Sequence, residues 1–374
     1  MTHSFGKSIL GAIVTTLVLS TGVPAMAQST KMAQSTNLYA QSKPSAEQQE
    51  LETVLKDARD QIEAKNFARA LSLFERAAQL DPQNARIFSS IGYIQATQGR
   101  YQEAIQAYQQ AIAIDPKNAD FAYALGFNLA SLGQENDAIT AYRTAVNLNN
   151  RHLNAYLGLG LLLTRQNQYE AGLQAYQQAL KIDGQNTDAR TGIGFILLEQ
   201  ERPDDAINVL QRAAKFDNQS SRIPLGLGIA YLMRNDRTSA LQSFERAAQL
   251  DPRNAKLQAQ IGRVLQAAGE TEAAIAAYQR AILLNNGLPE AHRGIADSYF
   301  QQGDYASAIA AYREATRLDP EDASAFYGLG QALQARSQRE AALQAFQRAY
   351  KLYQQQGQEE NVQRVQAALK ALEP

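Results

Sequence analysis

The chain has 374 residues, 36 Lys and Arg against 37 Asp and Glu, three histidines, and neither cysteine nor tryptophan. A net charge of −1 removes the electrostatic basis for nucleic-acid binding, which needs a concentrated positive surface. The lack of cysteine excludes disulfides, thiolate zinc sites, cysteine nucleophiles and a lipid-modified N-terminal cysteine.

The N-terminus carries His3 and Lys7, then an apolar run from Ile9 to Leu19, then Pro24-Ala25-Met26-Ala27. A weakly basic start, an apolar middle and a small-x-small end are the three parts of a secretory signal peptide, with cleavage expected after Ala27. The competing reading is an uncleaved anchor over residues 8–27. Against it, the run Ile9 to Leu19 is interrupted by Thr15 and Thr16 and is short of the roughly 20 residues that span a bilayer. Residues 28–46 repeat the word Ala-Gln-Ser and hold too little apolar surface to offset ordering, so a polar linker is expected there. The address that follows is extracytoplasmic: the periplasm, or the lumen of a photosynthetic membrane.

From Leu51 onward the chain repeats itself. The turn dipeptides Asp81-Pro82, Asp115-Pro116, Asn149-Asn150, Asp183-Gly184, Asp217-Asn218, Asp251-Pro252, Asn285-Asn286 and Asp319-Pro320 follow one another every 34 residues without insertion or deletion. Phe74 to Pro82 returns letter for letter as Phe244 to Pro252. Within each unit Ala104, Tyr108 and Ala111 share one helical face, as do Ala138-Tyr142-Ala145, Ala240-Phe244-Ala247, Ala274-Tyr278-Ala281, Ala308-Tyr312-Ala315 and Ala342-Phe346-Ala349. An earlier helix in each unit holds a glycine at 92, 126, 160, 194, 228, 262 and 330, with Ala296 once in that place. Glycine in a helix costs about 1 kcal/mol against alanine, so it needs a packing reason. The reason expected is close approach to the small alanines of the second helix, with the large aromatic filling the space between units. Pro203 and Pro289 fit first-turn positions, and Pro224 is expected to shorten the helix it enters.

A 34-residue helix–turn–helix unit with Phe88-x2-Ile91-Gly92, Tyr156-x2-Leu159-Gly160 and Phe326-x2-Leu329-Gly330 in its first helices resembles the tetratricopeptide repeat family. The family's leading tryptophan is absent, and Gly172 and Leu210 replace an alanine and an aromatic. The resemblance implies an all-α, right-handed superhelical solenoid of nine units: 51–84, 85–118, 119–152, 153–186, 187–220, 221–254, 255–288, 289–322 and 323–356, the first of them degenerate. The last apolar face of a stack must be covered. Residues 357–374, with Val362, Val365, Leu369 and Leu372 on one stripe, are expected to be that cap.

The search for chemistry finds little. Gly158-Leu-Gly160, Gly192-Ile-Gly194 and Gly226-Leu-Gly228 lack a third glycine and a preceding strand, and fall inside helices. His152 and His292 have no second ligand at metal spacing and are expected to be satisfied surface residues. No catalytic serine, lysine or metalloprotease motif occurs. The expectation is a protein without catalysis, cofactor or metal.

In the family, first helices line a concave groove that takes peptides or helices. Helical spacing from the packed glycines puts Tyr93, Tyr123, Phe127, Leu157, Leu161, Phe195, Leu225 and Ile229 on that inner wall, followed by basic Arg222, Lys256, Arg263 and Arg293 with Glu290 and Asp297 beside them. Two readings of the apolar stripe stand: exposed ligand anchors, or packing between successive first helices. The lysine and asparagine set by which some family members hold a C-terminal carboxylate is not found. The function expected is an exported scaffold binding peptide or helical segments of other proteins in envelope or membrane-complex assembly. The alternatives are a chaperone-like carrier of exported polypeptides and an accessory subunit of a separate enzyme. Partners are proteins, with no nucleic acid and no small-molecule cofactor, and with the membrane only through an uncleaved anchor.

Overall fold

The computed structural model describes residues 45–372, so the expected signal peptide and nearly all of the expected linker lie outside the described residues. Among those described, every regular element is an α-helix. The chain divides into two compact units, the first ending at Ile196 and the second starting at Leu197.

The first unit holds α1 (Ala46–Glu63), α2 (Phe67–Leu80), α3 (Ala85–Thr97), α4 (Tyr101–Ile114), α5 (Ala119–Ser131), α6 (Glu135–Leu148), α7 (Leu153–Arg165), α8 (Tyr169–Ile182) and most of α9 (Thr187–Glu199). The second holds α10 (Pro203–Ala214), α11 (Arg222–Met233), α12 (Arg237–Leu250), α13 (Ala255–Ala267), α14 (Thr271–Leu284), α15 (Pro289–Gln301), α16 (Tyr305–Leu318), α17 (Ala323–Ala335), α18 (Arg339–Gln355) and α19 (Glu359–Lys370). Consecutive helices pack on one another throughout each unit. The all-α solenoid of helix–turn–helix pairs is the observed fold. Helix α1 begins one residue inside the expected linker, because Ser45 accepts the Gln48 amide while the Gln48 side chain answers the Ser45 amide.

The turn between repeats is a two-residue relay. Asp183 accepts the Gln185 amide at 3.0 Å, and the Asn186 side-chain amide donates to its other oxygen at 3.3 Å. Asn186 in turn accepts from the Ala189 amide at 2.9 Å, capping α9. Asp115 with Asn118, and Asp251 with Asn254, work the same way. An asparagine stands three residues after Asp81, Asp115, Asp183 and Asp251, while Ser220 and Asp322 take its place after Asp217 and Asp319.

Within each pair, the first helix ends on a left-handed residue. Gly99 takes φ +75°, and the Arg100 amide reaches back to the Gln95 carbonyl at 2.9 Å. Ser337 occupies the same place with φ +57° although it is not glycine. Forcing an L-residue left-handed costs about 1–2 kcal/mol, and glycine's extra freedom in the unfolded chain returns roughly half of that. Ser337→Gly is therefore expected to raise the urea midpoint slightly, by about 0.5 kcal/mol of stability. A lower midpoint would show that the turn carries no such strain.

The helix glycines have a different neighbour from the one expected. A Cβ on Gly160 would lie 2.6 Å from the Tyr176 ring, and one on Gly158 would lie 2.7 Å from the Tyr142 ring. Tyr142 is thus clasped between Gly126 of its own repeat and Gly158 of the next. In the second unit Tyr278 sits the same way between Gly262 and Gly294. It is the aromatic ring, more than the facing alanines, that the glycines admit. The pair Gly158-Leu-Gly160, which imitates the start of a nucleotide loop, forms halves of two adjoining clasps, on Tyr142 and Tyr176.

Pro224 stands third in α11, which starts one residue later than its counterparts, as its missing N–H leads one to expect. Leu210, in an aromatic's place, is fully buried. At the C-terminus Val362 and Val365 are buried and Leu369 and Leu372 pack against the cluster that holds Phe346 and Tyr353, so α19 covers the last pair.

Candidate functional site

The residues expected on an inner wall occupy two positions of the first helices, four residues apart. One series runs Tyr93, Phe127, Leu161, Phe195, Ile229, Arg263, Asp297, and the other Tyr123, Leu157, Leu225, Arg293. Sequence spacing alone makes all of them equivalent. Packing does not.

In the first unit Tyr123 is 8% exposed, Leu157 and Leu161 5% each, and Phe195 2%. Of the two readings, packing between helices describes these residues, and the exposed-anchor reading does not hold for them. The Tyr123 ring stacks on Tyr142 with centroids 5.8 Å apart and lies 4.8 Å from the His152 ring. Leu157 joins Tyr176, Ala189 and Ile196 in one apolar cluster. Burial pushes the Tyr123 hydroxyl up to about 12, and its oxygen has no hydrogen-bond partner. Tyr93 and Phe127 are the two of this set that remain half-buried.

In the second unit Leu225 and Ile229 are likewise buried, at 3% and 0%, and the packing reading describes them too. Arg263 and Arg293 are half-exposed. Arg293 pairs with Asp322 at 3.2 Å, and the Tyr312 hydroxyl donates to Asp297 at 2.5 Å. The Tyr278 hydroxyl donates to Gln266 at 2.9 Å. Burial raises the Asp297 carboxyl above the usual carboxylate range, against the Tyr312 hydrogen bond and Arg293, which pull it down. A carboxyl whose folded pKa is raised stabilises most when protonated, and that contribution is lost as pH rises through the folded value. Asp297→Asn, which still accepts from Tyr312, is therefore expected to unfold at higher denaturant than the parent at pH 7. The gap should close near pH 4. Equal pH profiles for the two proteins would refute the assignment.

The histidines are not the surface residues expected. His152 caps α7, its Nδ1 accepting the Ala155 amide at 3.2 Å while Nε2 lies 3.2 Å from Asp120. That contact lowers the Asp120 pKa. His292 is buried, with Nε2 3.0 Å from both the carbonyl and the side-chain oxygen of Asn286. Among the described residues no group of three His, Cys, Asp or Glu could hold a metal ion, and no helix is long and apolar enough to cross a membrane.

Sequence profiles for the tetratricopeptide repeat match residues 55–119 and 259–315, and a second set matches 95–162 and 163–225. A further profile, described as TPR repeat, matches 296–336. The chain belongs to the tetratricopeptide repeat family. Among solved structures it is similar to a tetratricopeptide repeat protein from Parabacteroides merdae, at 20% identity and a TM-score of 0.58, over 67% of this chain and 99% of that one. It also matches the MamA protein (26% identity, TM-score 0.41, 46% and 94% of the two chains) and yeast Tom70 (12%, 0.49, 86% and 96%). No curated protein matches the sequence. Proteins of this repeat family generally bind other proteins and are generally without catalysis of their own, which fits the half-exposed wall described above.

Proposed function

We propose that this protein is an exported, non-catalytic scaffold whose inner wall binds peptide or helical segments of partner proteins in envelope or membrane-complex assembly. The observation that carries this reading is the short set of half-exposed side chains at wall positions: Tyr93 and Phe127 in one unit, Arg263 and Arg293 in the other. Aromatic and arginine side chains concentrate binding energy when a partner covers them. Export rests on the N-terminal signal pattern and on the lack of cysteine, which spares an exported chain disulfide exchange. A carrier of exported polypeptides and an accessory subunit of a separate enzyme are the other two roles such a wall serves.

The test is affinity purification of the tagged chain from the extracytoplasmic fraction, with and without mild cross-linking, read by mass spectrometry. One or two partners in near-equal amount support a dedicated scaffold or subunit. A broad set of unrelated exported proteins supports the carrier, and recovery of the chain only from the cytoplasm, with residues 1–27 intact, overturns export. Tyr93→Ala with Phe127→Ala is expected to weaken capture at least tenfold while leaving the helical circular dichroism signal unchanged.

A further inference from the structure

The charged wall of the second unit is more selective than its composition suggests. Two of its acidic groups are already engaged: Asp322 holds Arg293 and caps α17 through the Ala325 amide at 3.0 Å, and Asp297 accepts from Tyr312. Arg263 differs. Its Nε is buried with no hydrogen-bond partner, and among the described residues no carboxylate lies within ion-pair distance of its guanidinium. Glu290 is near enough to favour its charge, but Arg293 opposes it and burial disfavours it most of all. A guanidinium left half-buried and unpaired is a costly arrangement, and it is relieved when a carboxylate arrives with the right geometry. Arg293 is already tied to Asp322 and Lys256 stands exposed in solvent, so of these three cations Arg263 alone is half-buried without an ion pair among the described residues. One cation matches one carboxylate.

The geometry points to Arg263 as the receiving site for a single acidic side chain, aspartate or glutamate, carried within the partner segment that the second unit's inner wall binds. This deepens the scaffold reading and rests on it. The occupant is not a side chain from this protein's own N-terminal segment, because residues 1–44 contain no aspartate or glutamate. An internal side chain is favoured over a chain terminus because a terminal carboxylate is best held by several converging donors, whereas here Arg293 is held by Asp322, Lys256 stands in solvent, and Arg263 is the half-buried donor left without an ion pair among the described residues.

The experiment uses the full chain after residue 27 and a display library of random 15-residue peptides fused to their carrier at the C-terminus, so that no peptide offers a free terminal carboxylate. Selections are run in parallel against the parent, Arg263→Gln and Arg263→Glu. The parent is expected to enrich Asp or Glu at one fixed position, Arg263→Gln to lose that preference, and Arg263→Glu to favour Lys or Arg there. A parent-selected peptide, resynthesised with an amidated C-terminus, should bind Arg263→Gln about tenfold more weakly, the effect of one charge-assisted contact. Its Glu→Gln form should bind both proteins alike. Because Arg263 is unpaired, Arg263→Gln should melt no earlier than the parent, which separates lost binding from lost folding. Peptides selected without an acidic position, or with the same acidic position on Arg263→Gln, overturn this inference and leave the scaffold reading intact. If no peptide is selected by any of the three proteins, the peptide-binding wall itself fails. Binding only by synthetic peptides with a free C-terminus, abolished by amidation, would reassign Arg263 to a terminal carboxylate and refute the side-chain assignment.

Discussion

Replacing Tyr123 and Phe195 together by alanine is expected to unfold the first unit well below the parent's melting temperature, while Phe127→Ala alone leaves the transition nearly in place. All three are wall residues by helical spacing, and Tyr123 and Phe127 are one helical turn apart on α5. What separates them is burial. Phe195 is 2% exposed and Tyr123 8%, whereas Phe127 keeps part of its ring in solvent. Removing a buried aromatic ring costs roughly 3–5 kcal/mol through lost transfer energy and the cavity left behind. Tyr123 belongs near the lower end, because its buried, unpartnered hydroxyl is removed with the ring. The two sites lie more than two repeats apart in sequence, so their effects should add. A summed loss of about 6–8 kcal/mol is comparable to the whole stability of a typical domain. Circular dichroism melts of the three variants check this. A double variant that melts with the parent would mean that Tyr123 and Phe195 are surface anchors after all.

Gly160→Ala is expected to destabilise, although intrinsic helix preference alone predicts a gain of about 1 kcal/mol. The added methyl would stand 2.6–2.7 Å from three carbons of the Tyr176 ring, closer than carbon atoms approach. Tyr176 is 4% exposed, and Gly192 of the next repeat closes its other face, so the ring has nowhere to retreat. Overpacking of this kind costs about 1–3 kcal/mol or more and outweighs the propensity gain. Gly184→Ala is the control: it lies in a turn where the nearest atom to a new Cβ is 3.8 Å away, and its stability should be nearly unchanged. Urea unfolding of both variants gives the comparison. An increase in midpoint for Gly160→Ala would mean that the clasp opens freely and that the glycine reflects something other than ring packing.

The register of the repeats was legible because it is written in local chemistry. Turn aspartates need only their own neighbours to close a turn, and Pro224 shortens α11 through its own missing N–H, whatever surrounds it. The alanine–aromatic–alanine face follows from helical spacing alone, and so does the cap at Val362 and Val365. The roles of the two histidines were not legible in this way. Asn286 lies six residues before His292, and Asp120 lies 32 residues before His152, at the other end of the same repeat, so neither contact shows in the spacing around the ring.

The sequence by itself therefore determined the all-α fold of helix–turn–helix pairs, since it depends on contacts within a turn or along one helix face. Only the tertiary structure decided which wall residues a partner can reach. Tyr123 and Phe127 are both aromatic and one helical turn apart, yet a ring from α6 and another from His152 cover the first and not the second. The same holds for charge: Arg263 and Arg293 are the same residue type on neighbouring first helices, and only the placement of Asp322 leaves one paired and the other free. Exposure and pairing arise from how successive helices lean on one another, and that is set by rings and glycines a full repeat apart.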